Sequence, residues 1–394
     1  MTAEKLAWEA EVAAQLRALD EAGLRRHLRL AQRREGNDFS MDGCPVVNFA
    51  SNDYLGLAVC EDLKRAMMVA VARYGVGSGA SRLVCGSMPP HQALEIALAD
   101  FKQTEAALTF SSGHAVSVGV LPALCGSGDT IILDKLSHAS LIDGARLSGA
   151  VLRVFPHNNV EKLEKMLRSI RAKDATGRIL LVTESVFSMD GDAAPLASLV
   201  ELKDRYGAWL LVDEAHAFGI LGPQGRGLVA ELGLEKRVEL QMGTLSKAAG
   251  VSGGYVAASR QVIDLLVNRA RSLIYSTAPS PAVAATAAAS VALIAGEEGE
   301  RRRRRLWANR ELLLSLLPQV DAVSVMAAIV PLVIGGEREA LEAAEALRVG
   351  GFLAPAIRYP TVSRGQARLR VTLSALHEPF QIEGLVGCLR RNLI

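Results

Sequence analysis

Two periodicities divide this chain. Apolar positions recur at helical spacing from Lys5 to Gln32, which predicts an amphipathic helix. Gly36, Asn37, Asp42, Gly43 and Pro45 then break the pattern ahead of a strand at Val46 to Phe49. From Phe101 to Tyr255 the spacing changes, and short apolar runs alternate with helical stretches. The runs are Ala106 to Phe110, Thr130 to Asp134, Val151 to Phe155, Ile179 to Thr183, Trp209 to Asp213 and Val238 to Gly243. Such unbroken runs are strands covered on both faces, as in a largely parallel sheet flanked by helices. One connecting helix is plain: it starts after Pro195, carries Leu196, Leu199, Val200 and Leu202, and stops at Gly207.

Crossovers of this kind are right-handed, and ligands gather beyond the carboxyl ends of parallel strands, so the residues just past each run should converge. Those positions hold Ser112, His138, Glu184, Asp213 and Lys247. After Pro279-Ser-Pro281 the pattern changes again, with a long helical stretch followed by short strands near Val320 to Val325, Ile329 to Ile334 and Arg368 to Ser374. The expected architecture is α/β, with an N-terminal helical arm (1–48), a large mostly parallel-sheet domain (49–280) and a smaller α+β C-terminal domain (281–394). The arginine run from Arg301 to Arg305, flanked by Glu297, Glu298 and Glu300, reads as a solvated helix face and not as a polyanion site.

Composition narrows the partners. Of 394 residues half are hydrophobic, enough for one large core and a smaller one, and the formal charge of +2 argues against nucleic acid or a membrane surface as partner. No uninterrupted apolar run reaches membrane-spanning length, and the first residues form no signal core. Cys44, Cys60, Cys85, Cys125 and Cys388 form neither a Cys-x-x-Cys pair nor a metal-ligand set, so disulfides and metal are not expected and a cytoplasmic location is.

Candidate chemistry lies at the strand ends. Lys247 closes Gly243-Thr-Leu-Ser-Lys247, and Asp213-Glu-Ala-His216 ends the run that begins at Trp209. An amine, a carboxylate and an imidazole on neighbouring strands suit a pyridoxal-phosphate enzyme, where the amine makes the Schiff base and the carboxylate keeps the pyridine nitrogen protonated. Ser111-Ser112-Gly113-His114 opens a helix whose free N–H groups suit a phosphate, although the same letters also make an ordinary N-cap.

Three competing motifs fail on context. Asp-Glu-Ala-His also occurs in helicase-like ATPases, but no lysine here follows a glycine, so the phosphate loop is missing. Gly250-Val-Ser-Gly-Gly254 has the spacing of a hydrolase elbow, yet its strand comes after it and not before. Gly75-Val-Gly77-Ser-Gly-Ala80 imitates a dinucleotide fingerprint but follows a helix.

Ser51-Asn-Asp-Tyr-Leu-Gly-Leu57, Gly77 to Leu83, Leu136-Ser-His-Ala-Ser140, Val186-Phe-Ser-Met-Asp-Gly-Asp192 and Val212 to His216 occur in one order and spacing. With them the chain resembles the α-oxoamine synthases nearly end to end. These are pyridoxal-phosphate enzymes of fold type I, the aspartate-aminotransferase fold, that condense an amino acid with an acyl thioester and release carbon dioxide. His157-Asn-Asn-Val160, Leu273 to Thr277, Ala356 to Val362 and Ala367-Arg-Leu-Arg370 narrow the resemblance. It implies L-alanine and a pimeloyl thioester, carried on coenzyme A or an acyl carrier protein, in biotin synthesis.

The resemblance implies roles by position. Lys247 would hold pyridoxal 5′-phosphate and act as general base, and Asp213 would bond the pyridine nitrogen. His138 would cover the ring face opposite Ala215, with His216 and Ser188 near the phenolic oxygen and Glu184 beside the cofactor. Ser112, Gly113, His114 and Thr244 would hold the phosphate, with Thr277 reaching it from the partner subunit of a homodimer. Arg358 would anchor the amino-acid carboxylate by two parallel hydrogen bonds. Asn52, His138, Arg25 and Thr361 would contact substrate. Two departures stand out: His114 fills a place usually held by Phe or Tyr, and Ser246-Lys-Ala-Ala-Gly250 replaces a glycine-richer stretch. A sister synthase using glycine or serine, such as a glycine C-acetyltransferase or 5-aminolevulinate synthase type, and a catalytically silent partner subunit stay open as alternatives.

Overall fold

The computed structural model describes residues 3–174, 176–318, 320 and 326–392. Its centre is a seven-stranded sheet whose strands, in spatial order, begin at Ala106, Gly254, Leu240, Trp209, Ile179, Thr130 and Val151. Six run in one direction; Gly254–Ala258 alone is antiparallel, wedged between Ala106–Phe110 and Leu240–Thr244. The unbroken apolar runs have their physical reason in burial on two sides. Successive residues of one strand enter different cores: Leu181 joins Leu210, Val212 and Tyr255 on one face, whereas Leu180 and Val182 join Leu211, Met242 and Val256 on the other.

The connecting helices end where the sequence provides a stop. Leu196–Arg205 follows Pro195 and gives way to Gly207, whose φ of 58° is left-handed. Ala-rich Pro281–Ala295 buries Ala282, Ala284, Ala287, Val291 and Ile294 and packs on Glu61–Tyr74 and Pro89–Lys102. Small side chains permit that close approach.

The N-terminal helix is shorter than its periodicity predicts, spanning Ala3–Glu21. It stops because Gly23 turns left-handed at φ 63° and Leu24 N–H closes back on Leu19 O at 2.7 Å. The following residues form strands Ala31–Arg33, Asp38–Met41 and Cys44–Asn48, and the last of these pairs in parallel with Phe352–Leu353. A third sheet, ordered Ile329–Gly335, Ala367–Thr372, Ala356–Ile357, is antiparallel and packs against Glu337–Val349. The strand expected at Val320 to Val325 lies outside the described residues, Val320 apart.

The arginine run sits in helix Glu297–Leu316 but is not a uniformly solvated face. Arg303 is 5% exposed and donates to Ile294 O at 2.8 Å, and Arg302 donates to Leu55 O at 2.7 Å. Arg301 pairs with Glu298 at the surface. Helical spacing turns adjacent arginines in different directions, so two of them tie the helix to buried backbone carbonyls. Among the described residues no single helix is long and apolar enough to cross a membrane.

Candidate active site

The carboxyl ends of the parallel strands enclose a cavity of about 220 Å³. Ser112, Gly113, His114, His138, Glu184, Asp213, Ala215, His216, Thr244 and Lys247 line it, together with Ser246. Strand register does the gathering. Glu184 is paired with Asp213 across neighbouring strands, and Asp213 with Met242 on the next, so chemistry at each strand's last residue falls into one row.

Lys247 Nζ lies 2.7 Å from His216 Nε2, and His216 Nδ1 lies 2.6 Å from the Tyr54 hydroxyl. Burial, followed by the attraction of Asp213 and Glu184 in the opposite sense, leaves the Lys247 amine pulled down to about 8, with the Arg370 cation adding to the decrease. Burial and the Asp213 charge push the Glu184 carboxyl up to about 8, and burial also raises Asp213 against the pull of Lys247. His216 is driven well below the ordinary histidine range by burial and by Lys247 and Arg370, so its ring is neutral.

His138 is anchored by its own helix start. Its backbone N–H donates to Glu184 Oε1 at 2.7 Å, and the Ser140 N–H donates to its Nδ1 at 3.2 Å. With Nδ1 accepting, the neutral ring carries its proton on Nε2, and burial lowers its pKa. Asp213 Oδ1 accepts the Ala215 N–H at 2.9 Å, which fixes the carboxylate plane.

At the other side of the cavity Ser112 caps helix Gly113–Leu124, accepting the Ala115 N–H at 3.1 Å. The first-turn N–H groups of such a helix lack internal partners and favour an anion. Thr244 donates to Gly253 O at 2.9 Å and sits 2.7 Å from the Ser246 hydroxyl. Gly254 is forced by contact: a Cβ there would lie 2.5 Å from the Ser112 carbonyl carbon.

His138 also borders a larger cavity of about 660 Å³, walled by Leu136, Ile142, Phe187, Met189 and Val362. Ser188 and Thr361 line this second cavity, not the first. Arg25 does not line either: it pairs with Asp20 at 2.6 Å, and its neighbour Arg26 faces the larger cavity instead. Arg358 is half-buried and has no ion pair among the described residues. Asn52 Oδ1 accepts from Arg370 at 3.1 Å. Thr277 is exposed, bridges to Ser81, and stands outside the smaller cavity.

Two residues near this cluster carry no role in the sequence reading. Tyr54 is fully buried against His216, and Arg370, 5% exposed, donates to Ser188 O at 2.7 Å and to Asn52. Both stand inside recognised sequence blocks, which was the available signal. Among the described residues no group of three or more His, Cys, Asp or Glu side chains is placed to hold a metal ion.

The donor set fits pyridoxal 5′-phosphate: a helix start for the phosphate, an amine of lowered pKa for the aldehyde, and a buried carboxylate for the ring nitrogen. Comparison with known proteins agrees. Residues 45–389 match the family described as Aminotransferase class I and II. A Geobacter sulfurreducens protein named 8-amino-7-oxononanoate synthase is 47% identical over 382 residues, covering 96% of this chain and 97% of its own. One of that name from Anaeromyxobacter dehalogenans is 47% identical over 380 residues, covering 96% and 94%. A serine palmitoyltransferase variant from S. paucimobilis, solved with a bound PLP–myriocin aldimine, superposes with TM-score 0.91 at 30% identity over 98% of both chains. The 8-amino-7-oxononanoate synthase structure from Francisella tularensis gives TM-score 0.75 at 28% identity, covering 88% of this chain and 97% of that one.

Proposed function

We propose that this chain, which belongs to the class I and II aminotransferase family and is a pyridoxal-phosphate enzyme, condenses L-alanine with a pimeloyl thioester. The products are 8-amino-7-oxononanoate, carbon dioxide and the free thiol. The observation that carries the reading is the meeting of Lys247, Asp213, His138 and the helix start at Ser112 in one cavity. In this reading residues 49–280 hold the cofactor, and 281–394 supply the substrate-side groups Arg358 and Thr361.

Bound there, the cofactor supplies a protonated ring that accepts the electrons released at the substrate α-carbon. The protein's residues do the rest. Lys247 would hold the cofactor at its aldehyde end and, when freed from it, would take the α-proton from alanine and later return one. Its lowered pKa makes the neutral amine accessible near neutral pH. Asp213 would keep the ring nitrogen protonated, and the neutral His138 ring would cover the bound cofactor. His216 and Glu184 would flank the cofactor, while Ser112, Gly113, His114 and Thr244 would hold the phosphate. Ser188 approaches through the loop that Arg370 secures.

Arg358, half-buried and unpaired among the described residues, offers its guanidinium to the alanine carboxylate, and Asn52 is a further substrate contact. The 660 Å³ cavity takes the acyl chain along its apolar wall, with Thr361 at its side. Arg26 takes the basic position at its mouth that Arg25 was expected to fill. Alanine, not glycine or serine, is the preferred amino acid, and the acyl carrier is coenzyme A or an acyl carrier protein. Thr277 completes the phosphate site of a second copy in a homodimer, and the enzyme works in the cytoplasm. The exposure of Thr277 outside its own cavity, two residues from the exposed Tyr275, supports that reading.

The test is the absorption spectrum of the purified protein before and after L-alanine, glycine and L-serine, with Lys247→Ala as control. A visible cofactor band that shifts preferentially with alanine supports the reading. Preference for glycine or serine moves the chain to a sister activity, and a band indifferent to Lys247 overturns the catalytic assignment.

A further inference from the structure

The proposed chemistry uses His216 and Lys247 but leaves Tyr54 without a task. Its hydroxyl is fully buried and meets His216 Nδ1 at 2.6 Å, on the far side of the ring from Lys247 Nζ, which is 2.7 Å from Nε2. We propose that Tyr54 is a positioning residue that sets the tautomer of His216, so that Nε2 carries the proton and presents a donor to the Lys247 amine.

The proton count decides between two arrangements. In one, Tyr54 O–H donates to Nδ1, and Nε2–H donates to the lone pair of a neutral Lys247. In the other, a charged Lys247 donates to Nε2, Nδ1–H donates to the Tyr54 oxygen, and the Tyr54 proton must find another acceptor. Among the described residues the acceptor at hand is Asn52 Oδ1 at 3.4 Å, already engaged by Arg370 at 3.1 Å. The first arrangement keeps a 2.6 Å bond and the second exchanges it for a 3.4 Å contact, so Tyr54 favours the neutral amine.

The surrounding charges act in a known sense. Lys247, Arg370 and His138 face His216 and oppose a second ring proton, while Asp213 and Glu184 face Lys247 and favour its charged form. Tyr54 therefore works with Arg370 against the two carboxylates. The consequence for catalysis rests on the reading of Lys247 as the cofactor-bearing amine; the tautomer itself does not.

The test measures, in cofactor-free full-length protein, the pH dependence of Lys247 modification by an amine-directed reagent, read by mass spectrometry of its peptide. Tyr54→Phe is expected to raise the midpoint by about one unit, the scale of one hydrogen bond, and to have no effect in a His216→Asn background. An unchanged midpoint in a folded Tyr54→Phe protein overturns the proposal. Ring ¹⁵N shifts of wild-type His216 give an answer that needs no variant: an unprotonated Nδ1 supports it, and a protonated Nδ1 overturns it. Loss of the proposed synthase activity would appear instead as a missing Lys247-dependent visible band in the wild-type holoenzyme, whatever the midpoint does.

Discussion

Lys102 and Glu214 form an ion pair with no solvent access to either side chain, one residue beyond Asp213. Glu214 Oε1 also accepts the Val229 N–H at 3.0 Å, and Lys102 donates to Arg226 O as well. Each charge is thus satisfied on several sides, the condition under which burial is tolerable. Removing one partner leaves the other charge stranded. Lys102→Met is expected to cost about 3–5 kcal/mol in denaturant unfolding, with much of that recovered in Lys102→Met/Glu214→Leu.

His157 bridges two carboxylates, with Nδ1 2.9 Å from Asp134 and Nε2 2.8 Å from Asp192. Burial works against its charge, but the hydrogen bonds to Asp134 and Asp192 outweigh it and push the pKa up to about 10. A folded-state pKa above the unfolded value of about 6.5 means the stabilisation is complete below 6.5 and lost as pH rises through 10. Wild-type stability should fall across that window by on the order of 2–3 kcal/mol more than that of His157→Gln, after allowance for a partly exposed ring. Thermal melts at pH 6.5 and 9 in one ionic strength measure the difference, and parallel curves would refute the bridge.

Gly254 starts the antiparallel strand directly beneath the start of helix Gly113–Leu124. A methyl group there would sit 2.5 Å from Ser112 backbone and 2.6 Å from Gly113 N, so Gly254→Ala must displace the helix start. Cofactor affinity should fall roughly ten- to a hundredfold, the scale of losing a charge-assisted hydrogen bond. Fluorescence titration of cofactor-free protein reads this directly, and unaltered binding would show that the helix start does not hold the phosphate.

Asp213 is 8% exposed, with one oxygen committed to the Ala215 N–H. Asp213→Asn keeps the shape and that contact but removes the charge that, in the proposed reading, would meet the ring nitrogen. The expected loss in kcat is about 10²–10³-fold, comparable to removing one preorganised electrostatic partner. Arg358→Ala should instead raise the KM for alanine and leave the visible spectrum of the resting holoenzyme unchanged.

What the sequence discloses depends on distance along the chain. Ser112, His138, Glu184, Asp213 and Lys247 are legible because each stands at or just past the end of a strand whose apolar run is unmistakable, and parallel register brings strand ends together. Tyr54 and Arg370 are not, because their partners His216 and Ser188 stand 162 and 182 residues away and no periodicity links them. The overextended N-terminal helix is a different case: Gly23 marks the stop, yet apolar spacing continued past it. Arg26 facing the cavity in place of Arg25 is a choice of one residue made by the loop after that stop. Arg302 and Arg303, which reach inward to backbone carbonyls, escaped because a run of identical charges carries no sign of which members turn inward.

The parallel pairing of Cys44–Asn48 with Phe352–Leu353 has a consequence for synthesis. The early strand cannot gain that neighbour until about 300 further residues have been made, which takes roughly 15–60 s at ~5–20 residues per second. During that interval its hydrogen-bonding edge is unpaired and open to other chains. Closing that edge is therefore a late event in the making of this chain.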